Sequence, residues 1–257
     1  MHVFDWFYGL NFFVLYPLTI IVIISAAEVG IYLGRRRPSE SEFGTPTGAA
    51  LGLLALLLAF SVSLSVGRFD DRRRLVLDEA DAISSTAKFA LALPQQSQAV
   101  ILPLLHEYVT LRSNLGIPYD PIKFDRDVAR SVEIETALWA EAMKIVAISD
   151  TPRTNRFVNS LNQMSSLHER RVTALRYHVP GVVTAILVGI AMVAMGFAGF
   201  HAGTSSGGRH VVVILMGMMV AVVLMLIVDL DRPARGMIRV SVQPLLDAAQ
   251  TMPTANH

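Results

Sequence analysis

Four residues on one apolar segment, Gly52, Leu56, Phe60 and Ser63, carry the first chemical possibility in this chain. At 100° per helical residue they fall, with Gly67, within about 80° of one another, forming one stripe of small, apolar and hydroxyl groups. Copies of Leu56 and Phe60 meeting around a water-accessible hole would gate ions by dewetting. Helix packing explains the same stripe, because small residues let helices approach closely and serine hydroxyls bond back to carbonyls. The residues alone leave both readings open. Where the apolar run ends, Arg68, Arg72 and Arg73 follow, with Arg74 beside them. They suit headgroup contact and positive-inside anchoring, or a cationic ring that concentrates anions at a mouth. Asp70, Asp71, Asp78, Glu79 and Asp81 interleave with them, so anion selectivity does not follow.

Three acids stand at membrane depth. Glu28 lies toward the far end of the first apolar span, either paired with Arg35 or Arg36 about two turns on or serving permeation or packing. Asp229 and Asp231, with Arg232, close the last apolar span, where they are expected to cap the helix and bridge to the arginine cluster. Carboxylates two apart can also reach one hard cation, but no further ligands accompany them and no metal site is predicted. The seven histidines show no paired metal spacing, and no phosphate loop or nucleophile elbow occurs. No catalytic residue and no cofactor is expected, and the chain does not read as an enzyme.

The segments that must hold these residues are apolar helices. The sequence is 53% hydrophobic with mean hydropathy +0.48, a membrane protein's composition. A net charge of +1 and the lack of any basic-aromatic arrangement argue against nucleic acid as a partner. The absence of cysteine excludes disulfides and thiolate sites. Charge is concentrated: 29 of the 43 Asp, Glu, Lys and Arg residues lie between Arg68 and Arg176. The fold predicted is an all-α membrane protein, four transmembrane helices with a cytoplasmic helical bundle inserted between spans two and three. Residues 1–67 hold spans one and two, 68–178 the insert, 179–229 spans three and four, and 230–257 a cytoplasmic tail. Trp6, Phe7 and Tyr8 resemble an interfacial belt.

The second span, Gly44–Gly67, has 24 residues without a formal charge, and no proline follows Pro46 until Pro94. One helix is therefore predicted to run on into the insert, with Val76, Ala80, Ile83, Ala87 and Ala90 as its packing stripe. Further helices are predicted over Gln95–Leu115, bent at Pro103, Ile122–Asp150 and Pro152–Tyr177, with breaks at GIPYDP and SDTP. Ten arginines flank the membrane on the side of the insert and four on the other, which places insert and termini in the cytoplasm.

Three stretches together resemble the bestrophin superfamily, and best its bacterial bestrophin-like branch. They are LALLLAFSVSLSVGRFDDRRRLVLDEADAI, HERRVTALRYHVP and VDLDRPARGMIRVSVQPLLDAA. Bestrophins are pentameric ion channels whose second helices line the axis and form a hydrophobic neck. The resemblance puts the neck on Gly52, Leu56 and Phe60, and implies a homo-oligomer, a pentamer, in a bacterial inner membrane. Gly52 departs from the bulky residue of that family's first neck position. Asp231-Arg232-Pro233-Ala234 replaces its Asp-Pro-Phe-Gly, and no acidic run matches the calcium clasp of animal bestrophins. The expected function is passage of small inorganic ions through a central pore lined by span two, with itself and membrane lipid as partners. The alternative is a non-conducting scaffold or sensor whose helical insert binds a protein partner.

Overall fold

The computed structural model describes residues 12–36, 44–115, 120–148, 151–176, 181–204, 210–232 and 236–253. Among them are eight helices: α1 Phe12–Arg36, α2 Gly44–Ala90, α3 Gln95–Asn114, α4 Pro121–Ile148, α5 Pro152–Arg176, α6 Gly181–Thr204, α7 His210–Asp231 and α8 Gln243–Thr251. Four of the helices are long and apolar enough to cross a membrane. The aromatic belt expected at Trp6–Tyr8 lies outside the described residues, as do most of the GIPYDP turn and the glycine-rich loop before α7.

The chain divides into two compact units, Met1–Phe69 with His178–Ile238, and Asp70–Tyr177 with Arg239–His257. Helix α2 contributes residues to both and is continuous over its 47 residues, roughly 70 Å at 1.5 Å per residue. No proline interrupts it, and Gly48, Gly52 and Gly67 do not break it.

In the first unit α1 and α6 meet backbone to backbone. A Cβ added to Gly30 would overlap the Gly196 carbonyl oxygen, and one added to Gly34 the Phe200 carbonyl oxygen. From the other side, a Cβ on Gly199 would strike the Ala27 carbonyl oxygen and one on Gly203 that of Ile31. Lipid tails are as apolar as leucine, so such close approach replaces the hydrophobic effect as the force joining two membrane helices. The rest of this core is Ile23, Leu54, Leu58, Ala191, Met195, Ala221 and Leu224.

In the second unit each helix lays down a stripe at spacings of three and four. Val76, Ala80, Ile83 and Ala87 of α2 meet Ile101, Leu105 and Tyr108 of α3, Ile134 and Leu138 of α4, and Phe157, Leu161 and Met164 of α5. Helix α3 passes through Pro103 without ending. Asp120 caps α4 by accepting the Ile122 and Lys123 amides at 2.9 and 3.4 Å, and Thr151 caps α5 through the Thr154 amide at 3.2 Å. Pro121 and Pro152 occupy the first helical positions, where their missing amide costs nothing. The tail segment is more ordered than its sequence suggests. Helix α8 packs Leu245 and Ala248, followed by Met252, into this same core.

Candidate functional site

Helix α2 uses opposite faces of its membrane half differently. Thr47, Leu54, Leu58 and Ser65 point into the first unit and are buried. At 100° per residue their directions lie about 180° from the Gly52–Leu56–Phe60–Ser63 stripe. That stripe is exposed along its length: Leu56 is 53% and Phe60 62% accessible, and a Cβ on Gly52 would meet nothing within 4 Å. Only 17% of the α2 apolar window is buried in the protomer, against 28% in α1 and 39% in α7. The serines divide by face. Ser61 donates back to the Leu57 carbonyl at 2.8 Å, Ser65 is buried, and Ser63 is exposed on the stripe.

The arginines after the stripe have different surroundings. Arg68 is half-exposed and bridges to Asp231 at 3.1 Å. Arg72 is buried, whereas Arg73 and Arg74 are exposed. Arg68 and Asp231 also line a cavity of about 130 Å³ with Ser61, Ser65 and Thr184.

Asp229 closes α7 differently from Asp231. Its two carboxylate oxygens accept the amides of Met237 and Ile238 at 2.8 and 2.9 Å. The Tyr16 hydroxyl donates to the same carboxylate. Glu28 pairs with neither Arg35 nor Arg36. Its carboxylate lies 2.9 Å from His210 Nε2, and Arg36 stacks on Tyr32 with 4.3 Å from Cζ to the ring centre. His210 opens the neighbouring α7, so a partner across helices is nearer than one two turns along the same helix. Among the described residues no group of acids and histidines is placed to hold a metal ion.

The second unit holds a polar network outside the residues that sequence patterns single out. Glu79 on α2 is fully buried; its Oε1 accepts Arg112 Nε and its Oε2 accepts Arg171 Nη1, both at 2.5 Å. Burial pushes the Glu79 carboxyl up, and the two guanidiniums outweigh burial to hold it below the usual carboxylate range. Beside it Tyr108 donates to Glu135 Oε1 at 3.0 Å, and His168 Nδ1 lies 3.0 Å from the same oxygen. Burial, with Arg112 nearby, lowers His168 to about 4, so the ring is neutral near pH 7. Burial raises both the Tyr108 hydroxyl and the Glu135 carboxyl. A signal for this network did exist. Glu79 sits in register with Val76 and Ile83, Arg112 with Leu105 and Tyr108, and Arg171 with Met164 and Leu167, each a charge on a buried stripe.

These features define a helical membrane protein with four spans and a helical insert between the second and third. The family model described as Bestrophin-like domain matches residues 21–245. The chain belongs to the bestrophin-like family. Its fold is similar to that of a bacterial bestrophin homologue from Klebsiella pneumoniae. One crystal structure of that protein, a point variant, superposes with TM-score 0.69 at 15% identity, covering 90% of this chain and 99% of that one. Another, phased on zinc, gives TM-score 0.64 at 16% identity, with 93% and 98% covered. No curated protein sequence matches the chain.

Proposed function

We propose that several copies of this chain assemble around an axis lined by the outer face of α2 and conduct small inorganic ions across a membrane. The observation that carries this reading is the face itself. A stripe with large apolar groups stands free along a span that its own protomer covers least. A lone helix in lipid has no use for Gly52 and Ser63 on the same line as Leu56 and Phe60. A ring of copies has, since glycine and serine leave room for water while leucine and phenylalanine narrow the path. Family membership supports self-association, with five copies as the expected number.

The membrane is the bacterial cytoplasmic one, crossed four times, with termini and helical insert on the cytoplasmic side in accord with the arginine distribution. Arg68 and Arg73 then stand at the cytoplasmic mouth. Arg72 is turned inward and Arg68 is partly neutralised by Asp231, so the mouth carries a weaker positive field than three arginines suggest.

Purified protein in liposomes tests the proposal under potassium, sodium and chloride gradients. Leu56→Ala with Phe60→Ala is expected to raise the leak; unchanged flux removes both residues from the path. Native mass spectrometry showing a monomer in detergent would favour the non-conducting scaffold instead.

A further inference from the structure

Beside the line on which their backbones meet, α1 and α6 leave an open groove of about 790 Å³ within the membrane unit. Helix α1 contributes Ile21, Val29 and Leu33 to it, and α6 contributes Val193, Phe197 and Phe200. Ser25 is the one polar side chain in the lining. Gly30 and Gly196 lie along the same groove and put no side chain into it. Ile21, Val29, Leu33, Val193 and Phe197 all remain exposed, so the protomer does not fill this space itself. A concave apolar surface of this size on a membrane helix pair is covered by something other than water.

Length and charge identify the occupant. Along α1 the groove runs from Ile21 to Leu33, about 18 Å at 1.5 Å per residue. The hydrocarbon core of a bilayer is ~30 Å thick, so the groove serves one leaflet and stops. A helix of a second copy would cross both leaflets and overrun it, whereas acyl chains end where the groove ends. At its other end the groove passes into Arg35 and Arg36, the exposed last residues of α1. Arg36 is held over the Tyr32 ring, a residue type of the membrane boundary. Glu28, the acid of the same helix, is turned to His210, and neither guanidinium has a carboxylate partner among the described residues. Two unpaired guanidiniums at headgroup level match a phosphate, which arginine binds through paired N–H groups. We propose that the α1–α6 groove is a binding site for one anionic phospholipid, its acyl chains along Ile21–Leu33 and its phosphate on Arg35 and Arg36. This inference does not rest on the pore reading.

Native mass spectrometry of the full-length protein in detergent tests it, with phosphatidylglycerol and phosphatidylcholine of identical acyl chains titrated in turn. One phosphatidylglycerol per chain is expected to be retained in preference to phosphatidylcholine. At about 1 kcal/mol per arginine, losing one should weaken that retention roughly fivefold, and Arg35→Gln with Arg36→Gln roughly thirtyfold. Ser25→Trp places a large ring in the groove and should abolish retention of both lipids, as should Val193→Trp from α6, which serves if the first variant does not fold. Equal retention of the two lipids by the wild type, or retention undiminished by the arginine or the tryptophan substitutions, overturns the site. Loss of chains from the assembly on filling the groove, with lipid retention unchanged, would assign it to a second copy and overturn the proposal as well.

Discussion

Replacing Glu79 by glutamine should unsettle the helical unit more than any other single polar change in it. The substitution keeps the shape, removes the charge, and leaves two buried guanidiniums facing each other with a neutral amide between them. Glu79 has no exposed surface, so solvent screening gives little relief. Breaking a buried pair by removing one partner costs about 3–5 kcal/mol, and here one carboxylate serves two cations, which places the expectation at the upper end. With a urea slope of about 2 kcal/mol/M the midpoint falls by roughly 2 M. The chain has two tryptophans, and Trp139 packs against the core of this unit, its Nε1 3.4 Å from Ser165 Oγ. In a Trp6→Phe background its fluorescence reports this unit alone. The combined variant Glu79→Leu, Arg112→Met, Arg171→Met removes every charge of the trio and should recover most of the loss. A Glu79→Gln midpoint within about 0.5 M of wild type, or a combined variant weaker than Glu79→Gln, would sink the reasoning.

Further outcomes follow from the same structure. His168 is lowered from 6.5 to about 4, so its unfolded form takes up protons first; its share of stability is complete above pH 6.5 and lost as pH falls toward 4. Glu135, pushed up by burial, acts with the opposite sign, so the His168 limb should be read as the effect of His168→Gln in a Glu135→Gln background. Gly199→Ala drives a Cβ into the Ala27 carbonyl and should cost about 1–3 kcal/mol by thermal unfolding, whereas Gly52→Ala, with nothing within 4 Å, should leave the unfolding temperature unchanged. Asp229→Ala strands the Met237 and Ile238 amides and should open the segment after α7 to protease, while Asp229→Asn, which keeps one acceptor, should open it less.

The membrane helices were legible because their signal is additive: 24 uncharged residues before Arg68 predict a span without reference to any neighbour. The long α2 was legible from an absence, the lack of proline between Pro46 and Pro94. The stripe was legible as a face, though which way it points follows only from what covers Leu54 and Leu58 behind it. Helix α8 escaped notice because nine residues starting beside Pro244 give a weak local signal; Leu245, Ala248 and Met252 become a helix face once a core is there to receive them. The Glu79 network escaped for another reason. Its members lie 33 and 92 positions apart, and Glu79 is masked by Asp78 and Asp81, acids of the same run that remain exposed. Glu28 went to His210 because distance along a sequence says nothing about the helix next door.

The glycine seam between α1 and α6 has a mechanical consequence. Where carbonyl oxygens rest directly on α-carbons there are no side-chain rotamers to exchange, so the two helices have no alternative packing to switch into and should travel as a single stiff plate. Any opening or closing of the membrane unit must then be carried by a helix seated on deformable side chains. The membrane half of helix α2, seated on this unit through the side chains of Thr47, Leu54, Leu58 and Ser65, is the part able to shift, while Val76, Ala80, Ile83 and Ala87 hold its other half in the core of the second unit.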